Sequence, residues 1–310
     1  MKTRKKALLV AAESSYGVSP LISTATLMTV SELDSSPYEG DRVERTRLRE
    51  QFGAQAEVNV APFATVTATV PLAGSGAAGT APNFGLLLRA CGLAETVSVG
   101  TSVAYQPATD DHESFTVWFV EDGQLQQVPG CRGTVELSLT AKEMPTMQFT
   151  LTGLYQRPVV HAGPLAQTLT NIVDEIPVNK GNTTEFTVHG HAGCGQSLSI
   201  NLGNTVGHRH LIGCENVQIT DRVATGSVEV EAPDLATKNY FQALESHETV
   251  TLGAIGLTHG TTVGNIVQLA APKTQLSTIS RSDSDGIVHY ALDLRLIPDV
   301  GDDELTITFK

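Results

Sequence analysis

Two short segments combine histidine and cysteine at a spacing that could bind a transition metal. The first is His189-Gly190-His191-Ala192-Gly193-Cys194, and the second is His208-Arg209-His210-Leu211-Ile212-Gly213-Cys214. On a β-strand the two imidazoles of an H-x-H pair point to the same face, and imidazole with thiolate is a common zinc ligand set. However, the cysteines follow at different spacings, and no carboxylate is an evident third partner. Surface histidines in a variable loop are the favoured interpretation, and a metal-dependent enzyme using these four histidines is the alternative.

Other motifs of catalysis are missing from the sequence. There is no G-x-S-x-G nucleophile elbow, no phosphate-binding P-loop and no dinucleotide-binding G-x-G-x-x-G after a strand. The acidic clusters Asp110-Asp111-His112-Glu113 and Asp302-Asp303-Glu304 lack the dozen-residue ligand alternation and central glycine of a calcium loop. We therefore expect a protein that is not an enzyme, with no catalytic residue, no bound metal and no cofactor.

The charge distribution argues against tight nucleic-acid binding. The chain has 310 residues and a net charge of -13, of which residues 1–160 contribute -4 and residues 161–310 contribute -9. A protein that grips DNA clusters Lys and Arg against the phosphates. The one internal basic cluster, Arg42, Arg45, Arg47 and Arg49, is interleaved with acidic residues. Such mixed charge indicates ion pairing with protein groups.

Nothing in the composition predicts a membrane or secreted protein. The longest apolar runs fall short of the ~18 residues that a bilayer span needs. The basic start is followed only by the short stretch Ala7–Ala12, without a cleavage pattern. The four cysteines are too sparse for a disulfide scaffold, and we expect them to be reduced and mostly buried.

Period-two alternation is the dominant local signal and predicts antiparallel strands with one buried face. It is clearest over Thr134–Thr140, Thr146–Thr152 and Val288–Leu296, and it recurs over Thr65–Val70 and Ser227–Ala232. Helix is scarce. Two short helices are predicted, Pro82–Ala90 and Asp234–Glu245, with Asp234 as the N-cap of the second.

The two halves follow the same order of elements. The first runs Thr65–Leu72, a helix near Phe84, Val97–Tyr105, Ser114–Val120 and the pair Thr134–Thr140 and Met147–Leu154. The second runs Gly226–Ala232, a helix near Tyr240, Val250–Thr258, Asn265–Ala270 and the pair Thr274–Ser280 and Ile287–Ile297. This repetition predicts a tandem duplication, with Gln156–Val188 as the linker and entering strand.

A strand pair is predicted before each block, joined by a loop of variable length. In the first half, Thr26–Ser31 pairs with Glu57–Val60 across a charged loop from Glu32 to about Gln55. In the second half, Ser197–Leu202 pairs with Asn216–Thr220 across the loop Gly203–Gly213. Loops as long as the first one are usually functional or disordered.

Several stretches resemble the major tail tube proteins of bacteriophages, of the kind built by tandem duplication of the tube domain. The N-terminal segment Ala11–Pro20 places an acidic residue before a Tyr-Gly pair and a proline, as that family does. The stretches that also carry the resemblance are Asn83–Leu93, Val103–Pro107, Leu151–Tyr155, Leu198–Asn204, Ile219–Arg222 and Leu257–Thr261. Each motif is short, but the likeness extends over nearly the full length.

The resemblance implies a mainly β fold of two tandem tail-tube-type β-sandwich or half-barrel domains, each with one short α-helix. Residues 1–160 would form the first domain, with an N-terminal arm and a long inter-ring loop, and residues 161–310 the second. Because single-domain tubes of contractile tails are about half as long, a long non-contractile tail is favoured.

The implied function is structural: polymerisation into stacked rings that form the hollow tail tube through which DNA is ejected. Six tube domains per ring would need three chains, with pseudo-sixfold symmetry. The partners would be the chain itself and the tape-measure, tail terminator and tail-tip proteins, with no membrane and no specific DNA binding. The chain would be assembled in the host cytoplasm and act in the virion tail. Arg42, Arg45, Arg47 and Arg49 would contact the neighbouring ring. Another self-associating β-sandwich of a virion, an adhesin or decoration module, is the alternative.

Overall fold

The computed structural model describes residues 2–161, 163, 165–245 and 251–310, and nearly all of its regular structure is β. The first twelve strands are β1 (Lys6–Ala12), β2 (Thr26–Leu27), β3 (Glu32–Glu39), β4 (Arg42–Glu44), β5 (Glu57–Asn59), β6 (Phe63–Pro71), β7 (Leu93–Ser98), β8 (Ser102–Pro107), β9 (Phe115–Glu121), β10 (Gln124–Thr140), β11 (Thr146–Leu154) and β12 (Val159–Val160). One helix, α1 (Gly85–Ala90), lies between β6 and β7.

The remaining strands follow in the second half of the chain. They are β13 (Thr183–Val188), β14 (His191–Ala192), β15 (Gly195–Asn201), β16 (Asn204–Leu211), β17 (Cys214–Arg222), β18 (Thr225–Glu231), β19 (Leu252–His259), β20 (Val267–Ser284), β21 (Ile287–Leu296) and β22 (Thr306–Phe309). The second helix, α2 (Tyr240–Leu244), follows β18. Neither helix of the described residues has the length or apolarity needed to cross a membrane.

The strands form two four-stranded antiparallel groups with the same order. The first group is β3-β6-β11-β10, and the second is β15-β18-β21-β20. In each group one transverse row faces the core: Leu33, Ala68, Phe149 and Val135 in the first, and Leu198, Val228, Leu292 and Ile279 in the second. Because both groups share this row, each residue of one group can be matched to a residue of the other.

Two long strands connect the four-stranded groups to a second layer. The first part of β10 pairs with β9 and β12, and its second part pairs with β11. In the same way, β20 pairs with β19 and β22 before it pairs with β21. A register shift lies in each long strand, at Val128–Cys131 and at Leu276–Thr278. Bulges of this kind bend a strand, so that one strand can serve two sheets.

One hydrophobic core runs through both halves, and α1 and α2 pack on it. Leu87 and Leu88 of α1 and Tyr240 of α2 are fully buried in it. A smaller cluster around Trp118 lies behind β1 and β9. Because β9 lies between the two clusters, its residues are buried on both faces, and burial does not alternate along this strand, which was predicted at Ser114–Val120.

The sequence predicted the main strands and both helices, but several local predictions were wrong. Glu32–Glu39 is a strand of the main sheet and not a loop: only Leu33 needs to be buried, because β3 lies at a sheet edge. Thr26–Leu27 pairs with β1, and Glu57–Asn59 pairs with β4. Ser197–Leu202 does not pair with Asn216–Thr220 either, because β15 pairs with β10 and β18.

Three further elements differ in their limits. The predicted strand Val97–Tyr105 is a hairpin, because Gly100 takes a left-handed φ of 70° in the turn between β7 and β8. The predicted strands Asn265–Ala270 and Thr274–Ser280 are one continuous strand, β20. The N-cap of α2 is Asn239, whose side chain accepts a hydrogen bond from the Gln242 amide, and not Asp234. Val250, the predicted first residue of β19, lies outside the described residues.

Candidate assembly surfaces

The two four-stranded groups join edge to edge inside the chain. Residues 136–140 of β10 pair antiparallel with residues 197–201 of β15, so that Leu139 lies opposite Leu198 and Ser138 opposite Ser199. The result is a continuous eight-stranded sheet that contains residues from both halves. A second connection crosses the other layer, where β22 pairs with β8 through Ile307 and Tyr105.

The eight-stranded sheet ends in two strands that each have one partner. Within the described residues, β3 pairs only with β6, and β20 from Thr278 to Ser284 pairs only with β21. Side chains cover part of β3: Lys6 Nζ donates to the Leu33 carbonyl (3.0 Å) and Gln126 Nε2 to the Pro37 carbonyl (2.7 Å). Pro37 is tolerated in β3 because the outer N–H groups of an edge strand bond to no other strand, so the N–H that proline lacks breaks no ladder bond. Edges of this kind are templates for pairing with another chain.

One face of this sheet is polar across all eight strands. The residues opposite the core rows are mainly Thr, Ser and Gln, such as Thr67, Thr150 and Ser227. Carboxylates outnumber guanidinium groups on this face, and no lysine lies on it. Its charged residues are Glu32, Asp34, Glu39, Glu136, Glu229, Glu231 and Asp293, against Arg132 and Arg295. The face therefore has a negative balance and is lined by short hydroxyl side chains.

Each four-stranded group has a hairpin between its first two strands. The β4–β5 hairpin connects β3 to β6, and the β16–β17 hairpin connects β15 to β18. The two hairpins differ in their contacts. The β16–β17 hairpin packs across the ends of β10 and β11 in the other half, and Val217 is fully buried there. By contrast, residues 41–50 on the β4–β5 hairpin are all exposed.

The four predicted arginines lie on this exposed hairpin. Arg42 forms a loose ion pair with Glu57 across the hairpin (3.8 Å). The backbone of Arg47 exchanges hydrogen bonds with the Gln55 side chain, which closes the loop beyond the strands. Among the described residues, Arg45, Arg47 and Arg49 make no ion pair, and the nearby Leu48 and Phe52 are fully exposed.

A buried polar cluster fixes the β16–β17 hairpin to the first half. The Val217 amide donates to Tyr16 Oη (2.5 Å), and Arg132 donates to the Val217 carbonyl (2.8 Å) while it lies over the Tyr16 ring. Burial raises the pKa of Tyr16, so its hydroxyl stays protonated. The sequence drew attention to the Tyr16-Gly17 pair, but only the tertiary structure shows that it anchors a hairpin 200 residues away.

Glu13 supports the same anchor. Its carboxylate accepts four hydrogen bonds, from the amides of Gly17 and Gly130 (both 2.8 Å) and from the hydroxyls of Ser114 and Thr116 (both 2.7 Å). A carboxylate with four donors holds β1, β9 and the bend of β10 in one arrangement. Glu13 is the acidic residue that precedes the Tyr-Gly pair in the N-terminal segment, and its structural role is to hold these strands together.

The acidic segment before β22 forms a second polar cluster. Arg222 pairs with Asp302 (2.8 Å) and with Glu304, and it also donates to the Ala108 carbonyl (3.0 Å). Burial alone would raise the pKa of Asp302, but hydrogen bonds from Thr109 and Arg222 outweigh it, and the pKa is lowered. Glu304 is 5% exposed, and its Oε2 atom has no hydrogen-bond partner among the described residues.

The histidines of the two H-x-H segments lie on separate hairpins. His189 lies in the turn of the β13–β14 hairpin and His191 on β14, whereas His208 and His210 lie on β16. His208 contacts Glu215 (2.9 Å). Burial lowers the pKa of His189, and nearby Lys238 adds to this effect. In the part of the chain that the structure describes, no group of three or more His, Cys, Asp or Glu side chains could hold a metal ion.

Comparison with known families assigns this architecture. The profile described as "Phage tail tube protein" matches residues 3–293, which is nearly the whole chain. The chain belongs to the phage tail tube protein family. No curated protein matches the chain. As a tail tube protein it is a structural component of the virion tail that assembles with itself into a tube, and the mainly β fold agrees with this assignment. The polar sheet, its two edge strands and the exposed hairpin are the candidate surfaces for that assembly.

Proposed function

We propose that three chains close into a ring by pairing β20 of one chain with β3 of the next, and that rings stack into the tail tube. The observation that carries this proposal is the β10–β15 junction inside the chain. β10 and β20 hold the last position in their four-stranded groups, and β15 and β3 hold the first. The junction between chains repeats the one within the chain.

The correspondence between the two groups gives the register of the junction. Val135 corresponds to Ile279 and Leu198 to Leu33, because each pair occupies the same core-facing row. By this correspondence, the pair Glu136 and Asn201 inside one chain matches a pair between chains, in which Ser280 of one chain lies opposite Ser36 of the next. Asp34 and Ser282 pair in the same way. The small side chains at these positions allow close approach of the two strands.

The polar face of the eight-stranded sheet lines the channel in this proposal. Three chains contribute six four-stranded groups, and with a strand spacing of about 4.8 Å the backbone circle has a diameter of about 37 Å for upright strands and about 48 Å for a tilt of ~40°. A channel of this width passes a DNA duplex. Its carboxylates repel phosphate, so DNA slides through during ejection without specific binding.

The proposal includes a tandem duplication, with one tube domain in residues 1–160 and a second in residues 161–310. The shared strand order of the two groups, with a helix after the second strand of each, supports it. The linker between them contains Ala162 and Pro164, which lie outside the described residues. Assembly takes place in the host cytoplasm, and the tape-measure, terminator and tip proteins are the expected partners in a long, non-contractile tail.

Engineered disulfides test the ring. In a background with Cys194 and Cys214, the two exposed cysteines, replaced by serine, Ser36→Cys and Ser280→Cys are introduced together. Opposed residues of antiparallel strands have Cα atoms about 4.5–5.5 Å apart, which a disulfide can bridge. After oxidation of assembled protein, denaturing gels should show covalent dimers and trimers and nothing larger.

A matched control uses the junction inside the chain. Ser138→Cys with Ser199→Cys, which pair directly, should form an intramolecular disulfide with no change in chain mass. If the control closes but Ser36 and Ser280 variants stay monomeric in assembled material, the β20–β3 junction is wrong. A covalent ladder that continues to six chains would instead refute the ring of three.

A further inference from the structure

The β4–β5 hairpin lacks the contacts that the equivalent hairpin has. The β16–β17 hairpin leaves the first strand of its group, β15, and crosses onto the adjacent group, where the His208 ring lies 5.2 Å from that of Phe63. Phe63 and Thr152 form the surface beneath it. The β4–β5 hairpin leaves β3 in the same way, but no four-stranded group lies on the far side of β3 among the described residues of one chain.

The surface that would correspond to Phe63 and Thr152 lies on the second half. Counted from the shared core row, Phe63 corresponds to Val223 and Thr152 to Arg295. Both residues line an open cleft of about 580 Å³ at the end of β21, together with Ile297, Pro298 and Glu304. No hairpin of the described residues covers this cleft, whereas its counterpart is covered by β16–β17.

The hairpin and the cleft complement each other in charge and polarity. The hairpin carries the unpaired Arg45, Arg47 and Arg49 and the exposed apolar Leu48 and Phe52. The segment that borders the cleft is acidic, with the sequence Asp299-Val300-Gly301-Asp302-Asp303-Glu304. It also exposes apolar surface, since Val300 is 93% exposed.

Glu304 provides an independent indication of a missing partner. It is buried at the edge of the cleft, and among the described residues only one of its carboxylate oxygens is paired, with Arg222. A buried carboxylate oxygen without a donor is costly. A guanidinium group docked at the cleft would satisfy it once the Glu304 side chain turns toward the cleft.

We infer that the β4–β5 hairpin of one chain docks on the cleft between Val223 and Glu304 of the neighbouring chain in the same ring. The inference rests on the proposed ring, because pairing of β3 with β20 brings the hairpin over this cleft. It assigns Arg42, Arg45, Arg47 and Arg49 to a contact within the ring, whereas the mixed charge and the length of the loop had suggested a contact with the neighbouring ring. Each ring would then have six hairpins on six equivalent surfaces, three within chains and three between chains.

The two possible contacts differ in the surface that the hairpin meets. The β4–β5 hairpin and the cleft lie at the same end of the strands. In a head-to-tail stack, the hairpin end of one ring meets the opposite end of the next ring. That opposite end consists of residues 141–145, 232–238 and 285–286. Mapping what lies next to the hairpin therefore separates a contact within a ring from a contact between rings.

Site-specific photocrosslinking provides this map. Benzoylphenylalanine replaces Phe52 in the full chain, the protein is assembled and irradiated, and crosslinked peptides are identified by mass spectrometry. We expect crosslinks from position 52 to residues 221–224 or 295–304 of another chain. Val99, an exposed residue in the β7–β8 turn, is the control position and should give no crosslink to those residues.

The other outcomes overturn the inference in distinguishable ways. Crosslinks to residues 141–145, 232–238 or 285–286 would establish a contact between rings. Crosslinks within one chain, or none in a sample that native mass spectrometry shows to be trimeric, would exclude docking but leave the ring intact. If no trimer forms, the proposed ring of three chains is wrong, and the hairpin contact that depends on it is wrong as well.

A charge exchange tests the same contact by energetics. Replacing Arg45, Arg47 and Arg49 with Glu should weaken trimer association at least tenfold, and Val300→Lys should weaken it also. Combining both sets should recover part of the loss, because the introduced lysine then faces the introduced glutamates while the four carboxylates of the segment remain. All four side chains are exposed, so the melting temperature of the unassembled chain should not change. Additive losses in the combined variant would contradict the assigned contact.

Discussion

Removal of the Glu13 carboxylate should destabilise the subunit more than removal of almost any other charged group. The Glu13→Ala substitution leaves two backbone amides and two hydroxyls without their acceptor. Thr116 is fully buried and Ser114 nearly so, so water cannot easily replace the carboxylate at these two groups. The amide of Gly17 is closer to solvent.

The expected magnitude follows from these four bonds. Hydrogen bonds to a charged group contribute about 1.5–3 kcal/mol each, but they are not additive when they share one acceptor. Because water reaches part of the site, we expect a loss of about 3–4 kcal/mol for Glu13→Ala. Glu13→Gln keeps one acceptor oxygen and should lose about half as much.

Equilibrium urea unfolding of the unassembled chain measures the effect. The control is Glu50→Ala, because Glu50 is exposed on the β4–β5 hairpin and should change stability by less than about 0.5 kcal/mol. Glu13→Ala should also loosen the β16–β17 hairpin, and this should appear as faster hydrogen exchange of the Val217 amide. A loss below about 1 kcal/mol for Glu13→Ala, or one equal to that of the control, would refute the role assigned to this carboxylate.

Two further predictions concern pH and the channel. Burial lowers the pKa of His259, whose neutral ring donates from Nε2 to the Ile176 carbonyl and accepts from Thr183 at Nδ1. The stability that the neutral ring contributes is full above the unfolded pKa of about 6.5 and is lost as pH falls through the lowered folded value. The decrease in urea midpoint between pH 7.5 and 5 should therefore be smaller in His259→Gln than in the native chain, and an equal decrease would exclude His259 as its source. In the channel, Glu136→Lys with Glu231→Lys should leave tubes intact but slow DNA ejection at low salt, whereas unchanged ejection rates in fluorescence assays of released DNA would argue against a negative lumen.

For the N-terminal segment, the sequence revealed a local motif, and the structure revealed the contacts that the motif makes. The sequence placed an acidic residue before Tyr16-Gly17, which carried part of the resemblance to tail tube proteins. It could not show that Glu13 and Tyr16 bind groups more than 100 residues away. The partners of a side chain that contacts distant strands depend on the pairing of those strands, and local patterns do not encode that pairing.

The Arg-rich hairpin is a second such case. Its exposure and its mixed charge were evident from composition, and the structure agrees that its arginines are exposed. The strand β3 that leads into this hairpin was wrongly predicted to be loop, since Glu32, Asp34 and the other polar residues of β3 obscure the single buried Leu33. An edge strand needs little apolar sequence, and alternation is therefore a weak signal there.

By itself, the sequence determined the mainly β class, the main strands around Thr134–Leu154 and Ile287–Leu296, the two short helices and the family. These features follow from period-two patterning and local composition, which act over a few residues. Only the tertiary structure decided which strands pair across the halves, how β10 and β20 bend between layers, and which edges stay open. Strand pairing depends on contacts between residues far apart in the chain. The polar strands β15 and β3 differ in pairing only because β15 already lies beside β10 in the folded chain, whereas β3 does not.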